Sequence, residues 1–135
     1  MKYLLDTNVI SETVRKSPDA QVKKWFETVP SDQLYLSVLS LGEIRRGIEK
    51  ILDQERKIFL LTWLEHDLVS WFGERLIPVC FEVADKWGYI TARGTFPVID
   101  ALLAATALTH NMKLVTRNVD DFQFTELEVI NPWNF

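Results

Sequence analysis

A chain of 135 residues with 47% hydrophobic side chains, among them eight Phe and five Trp, carries enough apolar material for one core. Its net charge of −4 excludes a generally basic protein that coats nucleic acid, although a nuclease with clustered acids is compatible with it. One cysteine, Cys80, excludes an intrachain disulfide and fits a reducing cytosol, and no apolar run approaches the roughly 18 residues of a membrane span. Met1-Lys2-Tyr3-Leu4-Leu5 meets Asp6 too early to form a signal-peptide core. The expectation is one soluble, cytoplasmic domain over residues 1–135, with no membrane contact.

Tyr3-Leu4-Leu5 reads as a buried strand that Asp6-Thr7-Asn8 turns into a helix over Val9–Arg15. Ser17-Pro18-Asp19 is a start signal for a helix over Gln21–Val29, where Val22, Trp25, Phe26 and Val29 share one face. Leu34–Leu39 is rich in strand formers, and Ser40 suits the cap of a helix from Leu41 towards Leu52. A long amphipathic stretch from Gln54 to about Phe72 aligns Ile58, Leu61, Leu64, Leu68 and Trp71. Its partner is the core or another subunit. Leu76-Ile77-Pro78-Val79 is a short strand whose proline points to an edge or a strand end. A helix over Phe81–Arg93 stops at Gly94, and Pro97 precedes another over Ile99–His110. Lys113–Thr116 and Leu127–Ile130 complete the strands. Strands alternate with helices, which predicts an α/β fold with a mostly parallel, helix-covered sheet.

In such sheets the ligand crevice lies at the carboxyl ends of the strands, where Asp6 and the segment after Thr116 both fall. Each acid there has a local explanation. Asp6 or Thr7 suits a helix cap. Glu43 completes the S-x-x-E capping box Ser40-Leu41-Gly42-Glu43. Asp100 stands in the first turn of an alanine-rich helix, where the macrodipole favours an acid by about 0.3–1 kcal/mol, yet the helix is apolar enough to be buried on most sides, and a buried acid needs a partner. Asp120 and Asp121 suit a solvated loop. Taken together they suggest convergence. Two carboxylates at about 4–5 Å repel by roughly 3–4 kcal/mol at an effective dielectric near 20, so a cluster calls for a cation. An oxygen-only set matches Mg²⁺ or Mn²⁺ better than Zn²⁺.

Four segments carry a resemblance: Leu4-Leu5-Asp6-Thr7-Asn8-Val9-Ile10-Ser11-Glu12, Leu36 to Gly47 around Glu43, Pro97 to Ala107 around Asp100, and Leu114-Val115-Thr116-Arg117-Asn118-Val119-Asp120-Asp121-Phe122. From end to end and in order they resemble the PIN-domain nucleases, and within them the VapC toxins of type II toxin–antitoxin systems. Asn131-Pro132-Trp133 is similar to the FitB-like branch. The resemblance implies a three-layer α/β/α sandwich with a mostly parallel sheet of four to five strands. It further implies a Mg²⁺- or Mn²⁺-dependent endoribonuclease, a small VapB-like antitoxin partner, and a homodimer within a larger toxin–antitoxin assembly. It carries Asp6, Glu43 and Asp100 over as metal-binding catalytic acids. Where many members have aspartate after the Thr-Arg pair this chain has Asn118, so Asp121, three residues on, becomes the fourth acid, with Asn118 as an orienting group.

Phosphodiester hydrolysis needs an activated water and charge stabilisation at phosphorus, which a carboxylate-held Mg²⁺ supplies. Thr7, Ser37 and Thr116 are further orienting hydroxyls by this reading, and Arg45, Arg46, Arg93 and Arg117 are the arginines available to RNA phosphates. The alternative from another class is a non-catalytic PIN-like subunit in a DNA-binding or scaffold complex with its antitoxin. A phosphatase with an Asp6 nucleophile would want an aspartate where Asn8 stands, and a receiver domain would want a phospho-acceptor Asp after a central strand.

Overall fold

The computed structural model describes residues 1–124 and 126–135. Five short strands, β1 (Tyr3–Leu5), β2 (Leu34–Ser37), β3 (Leu76–Ile77), β4 (Lys113–Val115) and β5 (Val129–Ile130), form one parallel sheet in the order β3-β2-β1-β4-β5. Its centre is β1, where Leu5 lies in register with Leu36 of β2 and Val115 of β4. Successive strand residues point to opposite faces, and Leu4 and Leu5 lead into two different cores. Leu5 packs with Val9, Ile10, Trp25, Ile44, Leu68 and Phe72, whereas Leu4 packs with Leu103, Ala104, Ala107, Leu114 and Phe122.

Those two cores sort the helices into layers. On the Leu5 face lie α1 (Thr7–Glu12), α2 (Ala20–Thr28), α3 (Val38–Glu49), α4 (Gln54–Thr62) and α5 (Val69–Phe72). On the Leu4 face lies α7 (Val98–Thr109), with α6 (Phe81–Thr91) packed against it through Val83, Ile90 and Ala105. The result is the expected α/β/α sandwich with a parallel sheet of five strands. Among the described residues no helix is long and apolar enough to cross a membrane.

Several element ends differ from the sequence expectation, each for a local reason. Helix α1 starts at Thr7 rather than Val9 because Asp6 already caps it, accepting from the Thr7 N–H at 2.7 Å. Asp19 caps α2 as its sequence signal implies, accepting from Gln21 and Val22. The β2–α3 junction needs a larger correction. Strand β2 stops at Ser37, whose partner Ile77 is the last paired residue of β3 before Pro78, and Ser37 caps α3 by accepting from the Leu39 N–H at 3.1 Å. Ser40 therefore lies inside the helix, buried and with its hydroxyl unpartnered, and the Ser40–Glu43 capping box does not form.

The long amphipathic stretch buries Leu64 and Leu68 as expected and packs Leu61 and Trp71 partly against the core, but its inward face is shifted at both ends. Leu60, Leu64, Leu68 and Phe72 are buried, while Ile58 is 62% exposed. A four-residue repeat overshoots the roughly 3.6-residue α-helical turn, and a π segment at Trp63–Leu68 takes up the excess and keeps the repeat on the core.

Replacing Ser37 by alanine removes a helix cap and should lower the unfolding free energy by about 1 kcal/mol. Ser40→Ala removes a buried hydroxyl with no partner and should leave stability unchanged or raised, as urea denaturation of both variants will show.

Candidate active site

Chain direction opens a crevice at the sheet's carboxyl edge. The connection leaving β1 runs towards β2, the one leaving β4 runs towards β5, and the ends of these two central strands are left uncovered between them. Asp6 stands there immediately after β1. Its N–H donates to the Val115 carbonyl at 2.8 Å, which extends the β1–β4 pairing by one residue.

The Asp6 carboxylate is held on both oxygens. Oδ1 accepts from the Thr7 N–H at 2.7 Å and Oδ2 from the Thr116 hydroxyl at 2.8 Å. Thr116 is fully buried, and its own oxygen accepts from the Asn118 N–H at 3.1 Å and from Asn8 Nδ2 at 3.5 Å. A hydroxyl has one proton and two acceptor sites, so with both sites occupied the proton is committed to Asp6. Thr116 thus holds Asp6 as an acceptor.

Three further elements bring acids to the same crevice. Glu43, on α3, accepts the Thr7 hydroxyl on Oε1 at 2.6 Å, and its Oε2 lies 3.9 Å from Arg46. Helix α7 ends at Thr109, just before β4 begins, so it runs against the strand direction and brings its N-terminal turn, with Asp100, to the carboxyl edge. Beyond β4, a 3₁₀ turn at Val119–Phe122 carries Asp121, whose N–H donates to the Asn118 carbonyl at 3.0 Å.

Two of these carboxylates feel the others. Burial pushes the Asp6 carboxyl above its ordinary range; its bonds from Thr116 and Thr7 oppose the shift, and the charges of Glu43 and Asp121 add to it. The Asp100 carboxyl is pushed up to about 6, by burial first and then by the charges of Asp6, Asp121 and Glu43. Asp120 has no part in either shift.

A PIN domain model matches residues 3–127 of this chain. This chain belongs to the PIN-domain family. It is 32% identical over 136 residues to Toxin FitB of Neisseria gonorrhoeae, covering 97% of this chain and 98% of that protein. It is 29% identical over 135 residues to VapC ribonuclease Y4jK of Sinorhizobium fredii, covering 96% of each. The solved structure of FitAcB from Neisseria gonorrhoeae superposes with a TM-score of 0.90 at 32% identity, covering 98% of this chain and 99% of that one.

Seen as a PIN domain, the chain sorts its expected contacts into three groups. Asp6, Glu43, Asp100 and Asp121 are electrostatically coupled, and Thr7 and Thr116 orient two of them. Asn118 contributes through its backbone: its N–H donates to Thr116 and its carbonyl accepts from Asp121. Ser37 serves the α3 cap instead of an acid. Arg45 is paired with Glu49 and Glu65, Arg93 lies over Tyr89, and Arg117 lies over Trp133 at 5.0 Å, which leaves Arg46 as the expected arginine paired with a crevice acid. A residue without a role in the sequence reading is Asn8. Its carboxamide donates to Thr116 and accepts from the Arg117 N–H at 3.3 Å, so it ties the start of α1 to the loop after β4. The signal was an amide directly after the Asp6-Thr7 pair, able to give and take at once. Glu12 is also buried, but it serves the Asp19 N–H and Arg15, joining α1 to α2.

PIN-domain ribonucleases as a family depend on a divalent metal. The donor set of this PIN domain fits such an ion: all four groups are carboxylates, and two are destabilised as anions by the others. Among the described residues no three His, Cys, Asp or Glu side chains stand close enough to hold an ion by themselves. Mg²⁺ does not require that, since it keeps several waters and is commonly held by one or two carboxylates.

The raised Asp100 carboxyl has a pH signature in the metal-free protein. Its folded-state pKa of about 6 lies above the ordinary 3.8, so its stabilising contribution is full below that ordinary value and is lost as pH rises through 6. Asp100→Asn should accordingly raise the melting temperature in EDTA at pH 7.5 and leave it little changed near pH 3.5; thermal melts across that range provide the check. Added Mg²⁺ should stabilise the wild type at pH 7.5 more than the variant.

Proposed function

We propose that this PIN domain is the toxin of a type II toxin–antitoxin pair, a cytoplasmic Mg²⁺-dependent endoribonuclease, with Mn²⁺ as a substitute, that a small VapB-like antitoxin silences. We further propose that it works as a homodimer, one domain per chain. The observation that carries the reading is the gathering of acids at the open end of the central strands, where Asp6, Glu43 and Asp121 all raise the Asp100 carboxyl and Glu43 and Asp121 raise that of Asp6. Carboxylates gathered from four separate segments raise the proton affinity of Asp6 and Asp100, and that arrangement suits a cation-dependent step better than a structural one. Relatives named as a toxin and as a ribonuclease support the same direction.

In this mechanism Asp6 and Asp100 are the principal ligands, and Asp121 completes the set directly or through water. When bound, the ion neutralises charge developing on the phosphoryl oxygens and lowers the pKa of a coordinated water. The protein supplies the geometry. Thr7 N–H and Thr116 Oγ1 hold both Asp6 oxygens as acceptors, and Asn8 and the Asn118 N–H direct the Thr116 proton to it. Thr7 pins Glu43 Oε1, and we assign Glu43 Oε2 as the acceptor of the attacking water's proton. Arg46, 3.9 Å from that oxygen, is the nearest cation to receive a substrate phosphate.

Asp6→Asn and Asp100→Asn should each reduce metal-dependent RNA cleavage by about 10³-fold or more while circular dichroism stays native. A folded double variant that cuts at the wild-type rate would sink the assignment. Isothermal titration with Mg²⁺ and Mn²⁺ separates an enzyme from a scaffold subunit, which has no need of the ion. Asp121→Asn should weaken metal binding by more than Asn118→Ala does; the reverse order would move the fourth ligand to Asn118.

A further inference from the structure

Arg93 is ordered without an acidic partner. Its guanidinium lies over the Tyr89 ring at 3.9 Å, and its Nη1 donates to the Tyr89 carbonyl at 2.7 Å. Among the described residues Arg15, Arg45 and Arg46 each meet a carboxylate, whereas no ion pair involves Arg93. A planar cation held in this way has already lost much of the side-chain entropy that binding would otherwise cost, and its outer face is exposed.

That cation stands at the mouth of a cavity of about 280 Å³. Ile90, Phe96 and Phe124 form an apolar floor, with the two rings 5.1 Å apart, and Lys86, Arg93 and Gln123 stand on the rim. Lys86 stands on α6 and Arg93 just beyond its C-terminal cap Ala92, both lining the same cavity. Leu108, near the far end of α7, forms the remote wall about 12 Å along that helix from Asp100, and two other walls lead along the chain towards the acid crevice. Phe96 directly precedes the α7 cap Pro97, with Asp100 in the first turn beyond, and Gln123 follows Asp121 by two residues. An apolar slot with a flat cation and a second cation at its rim matches the chemistry of an unpaired nucleotide, whose base stacks on an arginine plane while its phosphate meets the positive charge. Gln123 and Glu126, also on the lining, offer an amide and a carboxylate to the base edge, and a carboxylate accepts from an exocyclic amino group.

We propose that this cavity is a subsite for one unpaired, amino-bearing base of the RNA strand that enters the acid crevice, with Arg93 as the stacking residue and Lys86 on the phosphate. The proposal rests on the ribonuclease reading given above. It concerns specificity and not the chemical step.

The test uses a short fluorescein-labelled single strand spanning the cleavage site mapped for the wild type, and the same strand with one abasic residue at each flanking position in turn. Binding is read by anisotropy in Mg²⁺ with the Asp100→Asn protein. One abasic position should weaken binding about tenfold, and adding Arg93→Ala should remove that penalty while weakening the intact strand by a similar factor. Arg93→Lys keeps the charge but not the plane and should restore little of the loss. Tyr89→Phe keeps the ring beneath the guanidinium and should behave as the parent. The subsite is overturned if the abasic penalty survives Arg93→Ala, if Arg93→Lys restores binding fully, or if Arg93→Ala changes only self-association in sedimentation. A wild type that cuts RNA, with none of these effects from Arg93→Ala, would overturn the subsite alone. A wild type that neither binds nor cuts RNA would overturn the ribonuclease reading together with it.

Discussion

The pairing of β1 with β4 is the contact on which the rest of this molecule depends. These strands are neighbours at the centre of the sheet, yet Asp6 and Thr116, the residues that follow them, are 110 positions apart in the chain. The backbone bond from Asp6 N–H to Val115 carries the pairing past the strand end, and the Thr116 hydroxyl then reaches the Asp6 carboxylate. Long-range parallel pairings close late because loop entropy must be overcome first. The acid crevice can therefore assemble only when nearly the whole chain has collapsed around β1.

Once assembled, the crevice sets local stability against chemistry. Burial alone would protonate Asp6, and the donors from Thr7 and Thr116 act in the opposite direction by favouring the anion. Asp100 has no such donors among the causes of its shift, and its carboxyl rises to about 6 under burial and three neighbouring charges. One acid is thus held as an acceptor by the protein and the other is left unsatisfied. A fold that only needed to be stable would place an apolar side chain at the head of α7, whose other buried positions are alanine and leucine apart from Thr106. The conflict is concentrated where several elements end, as expected of a site selected for function.

How far the sequence showed this depended on whether a residue's role was local. Asp6 and Asp100 were legible because each interrupts an apolar segment at a predictable end, and alternation of strands and helices indicated the layers. Glu43 was legible as an acid of the site through the resemblance, while its local spacing to Ser40 also offered a capping box; the actual cap, Ser37, is chosen by where β3 stops pairing with β2, a tertiary fact. The inward face of the 54–72 stretch was shifted because an α-helical period does not anticipate a π turn. Asn8 was passed over because both its partners lie beyond residue 115.

The fourth acid shows how a short turn can carry a charge from one sequence position to another. Asn118 occupies the position where many family members have aspartate, and it opens a 3₁₀ turn in which the Asp121 N–H returns to the Asn118 carbonyl. Three residues make one 3₁₀ turn, and the bond from the Asp121 N–H brings residue 121 back over the residue that opens it. An acid at 120 would leave from a different side, about a third of a turn away. The charges that act on Asp6 and Asp100 follow this geometry: Asp121 contributes to both shifts and Asp120 to neither. The backbone of Asn118 is also occupied at the base of the same loop, where its N–H donates to Thr116. Moving the acid to 121 separates two tasks that one residue would otherwise combine, since position 118 orders the turn while position 121 bears the charge.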